Sequence, residues 1–364
     1  MRTALFGPLA ALLLTLPLSS CATPRHGDAP PDAPPTTPSV IAEAYVSGEN
    51  PGEELDSLAT WRHPDGTTWL IATAKSSHRL VVFDAGNGTR LREVGGKGSD
   101  PGQFRRPNGI AVHGDLLFVA ERDNHRIQVL SLPTFRPLGS FGQPALRSPY
   151  GLWLNPLADG AVEVYVTDNF MNGERFDVVP PLAQLDQRVR RYRVRIADDG
   201  ALRAEDAGHF GDTGDKNALR IVESIAGDAA HDRLLIADEY QPQSTLREYT
   251  LTGRATGRRL PDDTFAFEAE GVALWACRND RGYWVSVDQL SPLTVFHFFD
   301  RRTLARVGSF TGRTVAATDG IALRAAPSTA FPKGALFAVH DDTAVAAFDL
   351  GQVAAALKLD RSCL

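Results

Sequence analysis

From Val40 onward the chain alternates short apolar runs with short polar stretches, and helical periodicity is almost absent. One pattern recurs: a polar residue, then Gly or Ser, then an apolar run. It appears as "DSLAT" from Asp56, "NGIAV" from Asn108, "YGLWL" from Tyr150, "ESIAG" from Glu223, "EGVAL" from Glu270 and "DGIAL" from Asp319. The separations are 52, 42, 73, 47 and 49 residues. A second run follows each copy ("TWLIATAK", "LLFVAERD", "VEVYVTDN", "RLLIADEY", "YWVSVDQL", "ALFAVHDD"), and then a third, such as "RLVVFD" or "TVFHFFD". Runs rich in β-branched and aromatic residues, bounded by Gly, Asn, Asp and Pro, predict strands.

A sheet of three or four such strands cannot bury both faces alone, so repeated sheets must stack. Six units of this size predict an all-β fold, a six-bladed β-propeller forming a single domain over residues 40–364. The run "VIAEAYVSG" (Val40 to Gly48) is expected to lend the sixth unit its outer strand and close the ring, with "AAALKL" near the C-terminus competing for that place. The 73-residue interval holds an insertion over residues 168–192, between the second and third strands of unit three. Long loops inside compact domains tend to be lids or binding loops.

The first residues have a different character. Arg2, the apolar stretch "ALFGPLAALLLTLPL" and the ending "LSSC" read as a signal peptide over residues 1–20. "LSSC" resembles a bacterial lipobox, which would make Cys21 a lipidated first residue. Residues 21–39 then form a Pro-rich tether. The implied location is the bacterial cell envelope, on the periplasmic side of the outer membrane, with membrane contact only through the lipid anchor. The remaining cysteines, Cys277 and Cys363, could pair in an oxidising compartment or stand as separate buried thiols; spacing decides neither. A net charge of -6 argues against a general nucleic-acid binder. A monomer is expected.

In a propeller the residues opening the six innermost strands meet around the axis. Here they are Asp56, Asn108, Tyr150, Glu223, Glu270 and Asp319, with Glu268 as a further acidic arm. Crowded carboxylates repel one another and rise in pKa. A hard cation with oxygen ligands removes that repulsion, so the pattern points to Ca²⁺ held by Asp56, Glu223, Glu268, Glu270 and Asp319. The alternative is that each polar residue only turns its strand, bonding backbone amides or water. The ends of the second strands reach the same mouth with Lys75, Arg122, Asp168, Asp238, Glu239, Asp288, Asp341 and Asp342. Lys75 and Arg122, on adjacent blades, suit a phosphate beside the metal. The sequence contains no HExxH, GxSxG, Walker loop or CxxC motif.

Two resemblances follow from these residues. "GKGSDPGQFRRPNGIAVHGDLLFVAERDNHRIQVL" resembles the NHL repeat over about one blade. "DSLATW", "HPDGTTWLIATAKSSHRLVVFD", "VAERDN", "PYGLWL", "EAEGVALW" and "TDGIAL" together resemble the β-propeller phytases, calcium-dependent six-bladed phosphatases. That likeness implies a calcium-dependent phosphomonoesterase acting on a small phosphorylated substrate such as phytate. Lys75 and Arg122 would be its catalytic cations, with Tyr150 and Asn108 helping to bind substrate. The sequence departs from the family where Ser57 replaces a second Asp, where "FTGRTVAA" replaces an acid-rich segment, and where Asp168-Asn169 replaces a Lys. Two other readings stand beside it: a metal-dependent lactonase-type propeller, and a non-catalytic NHL-like scaffold binding a protein or ligand.

Overall fold

Strand pairing closes the chain into a ring of blades. In this computed structural model, which describes residues 37–364, six sheets follow one another in chain order. The expected signal peptide, the expected lipidation site Cys21 and the expected tether up to residue 36 lie outside the described residues. The innermost strands are Leu55–Arg62, Pro107–His113, Pro149–Pro156, Val222–Asp228, Ala269–Ala276 and Ile321–Arg324, one each for blades one to six. Each pairs antiparallel with the strand that follows it. The chain is thus a six-bladed β-propeller. Among the described residues no helix is long and apolar enough to cross a membrane.

The core lies between blades rather than within them. Buried apolar residues of the described chain fall into six clusters, each shared by two neighbouring blades. Between blades five and six, Phe296 stacks on Phe310 with ring centroids 4.7 Å apart, and both meet Phe348 of blade six. Truncating such a side chain costs about 3–5 kcal/mol.

Closure uses both ends of the domain. Tyr45–Val46 pairs antiparallel with Ala347 and Ala346, giving blade six its outermost strand from the expected region. Ser39–Val40 adds a short parallel strand to the edge of blade five. Between them, Glu43 accepts hydrogen bonds from the amides of Arg313 (3.0 Å), Thr314 (2.8 Å) and Val315 (2.9 Å). Burial alone would raise its pKa, but these amides hold it below the ordinary value. The run "AAALKL" is not a strand. Asp349 caps the amide of Gln352 and starts the helix Leu350–Ala356, whose Leu350, Val353 and Ala354 fill the cluster between blades five and six. Cys277 and Cys363 form a disulfide that fastens the chain end to blade five, resolving the two possibilities left by spacing.

Candidate functional site: the axial mouth

The polar–Gly pattern has a geometric cause. Along the inner strands of blades one to five the register slips at the recurring pair, between Leu55 and Leu58, Pro107 and Ile110, Pro149 and Leu152, Val222 and Ile225, and Glu270 and Val272. A β-bulge bends a strand and re-aims a side chain. The following Gly allows the next blade to come close. A Cβ on Gly109 would lie 2.2 Å from the carbonyl oxygen of Tyr150, and one on Gly151 2.3 Å from that of Glu223. On Gly320 it would lie 2.3 Å from the carbonyl oxygen of Asp56. Hydroxyls tie the same joints: Thr73 donates to the Asn108 carbonyl at 2.6 Å and Thr167 to that of Glu223 at 2.7 Å. Small residues here let the six opening side chains converge.

A second tier stands behind this ring, one residue past the end of each second strand. Lys75, Arg122, Asn169, Glu239 and Gln289 each donate a backbone N–H to the residue leading into their own inner strand. Asp168, Asp238 and Asp288, which precede three of them, accept backbone amides of that same lead-in segment. These three acids fasten loops.

The two tiers divide the mouth into unlike halves. On one side the Lys75 ammonium sits 2.8 Å from Asp56 and 3.3 Å from Asp319, with Glu54 at 3.7 Å. Burial opposes the charge on Lys75, yet Asp56 and Asp319 outweigh it and its pKa is raised. Asp56 also accepts the Ser57 hydroxyl at 2.8 Å, and Gln289 donates to Asp319. Burial and the Asp56 charge nevertheless push Asp319 up to about 7, against the pull of Lys75.

On the other side Glu223, Glu239 and Glu270 each place a carboxylate oxygen within 4.8 Å of the others, and Lys75 reaches this group only through its attraction to Glu223, which is weaker than its hold on Asp56 and Asp319. Burial, then the Asp56 charge, lifts Glu223 to about 8. Glu270 and Glu239 are raised well above the ordinary carboxyl value by burial first and then by Glu223. The buried Oε1 of Glu239 accepts no hydrogen bond, while Glu239 and Glu270 lie close enough for one neutral carboxyl to donate to the other. Asn108, fully buried in the ring, has neither carboxamide atom bonded. Calcium binds oxygens at 2.3–2.6 Å, so ligands on opposite sides of one ion stand up to roughly 5 Å apart. The trio and its orphaned oxygen fit a divalent cation of that size.

The structure therefore brings Asp56, Tyr150, Glu223, Glu270 and Asp319 into mutual electrostatic reach and puts Lys75 among the acids. Glu268 is half-buried and close enough to raise Glu239, but stands outside the trio. Arg122 does not join the ring; it is partly exposed and paired with Asp123 at 2.7 Å. It lines a cavity of about 570 Å³ that also touches Tyr150 and Glu223, so the cavity reaches one member of the trio. Glu239 was visible in the sequence as a residue of the mouth but not as a ligand. The signal that singles it out is its register, equivalent to that of Lys75.

Comparisons with known proteins bear on the blade type. Residues 104–130, in blade two, match the NHL repeat. NHL repeat-containing protein 2 of Bos taurus is 34% identical over 93 residues, a match spanning 21% of this chain and 13% of that protein. Among solved structures, the chain is similar to the hydrazine synthase of Kuenenia stuttgartiensis, at 12% identity and a TM-score of 0.47, covering 87% of this chain and 82% of that one. It is also similar to a chain of a nidogen/laminin complex, at 17% identity and a TM-score of 0.43, covering 71% and 81%.

Proposed function

We propose that this propeller binds a divalent cation, calcium by preference, through Glu223, Glu239 and Glu270, and receives an anionic small molecule in the cavity beside it. The observation that carries the reading is the asymmetry of the mouth. Its acids share one internal cation, Lys75, and that cation is spent on Asp56 and Asp319. The remaining three carboxylates are crowded and raised in pKa, and one oxygen lacks any partner. Asn108, in the same ring, is a further oxygen donor.

Within this reading each residue has a defined task. Lys75 is a fixed counter-charge that keeps the Asp56–Asp319 side from competing for the ion. Arg122, steadied by Asp123, faces the cavity as an anion contact. Tyr150, whose pKa is raised by burial and by Glu223, stays a neutral hydroxyl able to donate to an anionic oxygen. A bound calcium ion would supply charge neutralisation and a water of lowered pKa. Phosphate-ester hydrolysis is the reaction such an arrangement supports, and the cell envelope is its expected place. The second reading, a non-catalytic NHL-type propeller that binds without turnover, is favoured by the repeat in blade two and by Lys75 being held in ion pairs.

Calcium titration of chelator-treated protein, followed by assays on phytate and 4-nitrophenyl phosphate, tests both. Calcium uptake with calcium-dependent phosphate release carries the hydrolase form. Uptake with saturable anion binding and no release carries the non-catalytic form. Absence of uptake removes the cation site itself.

A further inference from the structure

The insertion of blade three supplies the far wall of the cavity. Asn172 and Val178 exchange backbone hydrogen bonds of 2.7 and 3.0 Å and close a tight loop between them. At its tip Phe176 adopts a left-handed backbone (φ 55°) and is 76% exposed. Bulky L residues avoid that conformation, and a strained residue marks a site worth a functional explanation. An aromatic ring raised out of the core on such a loop gains nothing from the fold beneath it. Phe176 instead borders the cavity, and Arg175 borders it with Phe176.

A second aromatic side chain in the same cavity lies beside a guanidinium. The Arg147 guanidinium lies 3.0 Å from the ring centroid of Phe170, a cation–π contact that orients a cation without neutralising it. Among the described residues neither Arg147 nor Arg175 has a carboxylate within 4.0 Å, whereas Arg122 is paired with Asp123. Two unpaired guanidinium groups thus flank aromatic surfaces in one cavity. A volume of about 570 Å³ falls within the range of pockets for small organic ligands.

Building on the reading above, we propose that the insertion selects the ligand: the cavity takes an anion that carries a planar aromatic group, such as an aryl phosphate. Arg147 and Arg175 grip the anionic group and Phe176 stacks on the ring. The cation site fixes where the anion lies; the insertion decides which anions are preferred.

The probes are phenylphosphonate and methylphosphonate, titrated into the whole folded domain with saturating calcium and again with chelator. The parent is expected to prefer phenylphosphonate by about tenfold, the scale of one good aromatic contact. Phe176→Ala should bring the two affinities within about twofold while leaving methylphosphonate unchanged, because only the stacking surface is lost. Arg175→Ala should weaken both by about tenfold, as expected for a charge-assisted contact. Equal affinities in the parent, a preference that survives Phe176→Ala, or no binding of either probe in both conditions would overturn the proposal. Calcium uptake is measured in the same samples. Failure to take up calcium counts against the cation site, while the phenyl preference measured in chelator still decides the role of the insertion.

Discussion

Blades one and four face each other across the axis and carry like charge at the ring position but opposite charge behind it. In blade one the ring residue is Asp56 and the residue past the second strand is Lys75, whose N–H meets the Glu54 carbonyl at 2.8 Å. In blade four the corresponding residues are Glu223 and Glu239, whose N–H meets the Ile221 carbonyl at 2.9 Å. One backbone frame therefore holds an acid–base pair on one side and an acid–acid pair on the other. Ion pairs complete the first half from within the chain. Among the described residues the second has no such pair, and in the proposed reading a divalent cation completes it.

Lys75→Met should break that comparison most severely. It strands Asp56 and Asp319 without their counter-ion, and removing one partner of a buried pair costs about 3–5 kcal/mol. Urea denaturation measures it, and calcium should recover part of the loss because both halves would then need an external cation. Next come the glycines. Gly151→Ala forces a Cβ onto the Glu223 carbonyl and Gly320→Ala forces one onto that of Asp56. Each should destabilise by about 1–3 kcal/mol, the usual scale of overpacking. Only Gly151→Ala should also weaken calcium binding.

The pH dependence sharpens the contrast further. Glu223 at about 8 and Asp319 at about 7 lie above the ordinary carboxyl range, so the folded state holds protons that the unfolded state releases. The contribution of these two groups to metal-free stability is then fully present below the ordinary carboxyl range and falls as pH rises through 7 to about 8. Saturating calcium should flatten that slope in thermal melts. Glu270→Gln should stabilise the chelated protein, because it removes one of the crowded carboxylates that burial and Glu223 already hold above the ordinary carboxyl range, and abolish the calcium effect. Arg122→Ala, at a partly exposed ion pair, should change stability by less than about 1 kcal/mol and show itself only in anion affinity.

The parts legible in the sequence were those carried by repetition. The copies from Asp56 to Asp319 mark the blades, and their shared register implies that the opening residues meet. The partition of the mouth was not legible, because it depends on which side chains of two tiers touch. Lys75 looked like a free phosphate contact beside the acids, yet its reach from a position opposite Glu54 takes it to Asp56 and Asp319. Glu239 follows Asp238, and nothing local separates an acid that bonds backbone amides from one that faces the axis; only the pairing of Val222 with Asp238 does so. The C-terminal "AAALKL" was ambiguous for a similar reason. Ala and Leu suit a helix, but the competing strand position was already taken by Tyr45–Val46.

Calorimetric titration of calcium into chelator-treated protein, with Glu239→Gln and Glu270→Gln beside the parent, decides whether the three carboxylates hold a cation. Saturable uptake by the parent and its loss in both variants, with unchanged far-UV circular dichroism, is the predicted result. A parent that binds no calcium, or folded variants that bind it as the parent does, would contradict the account.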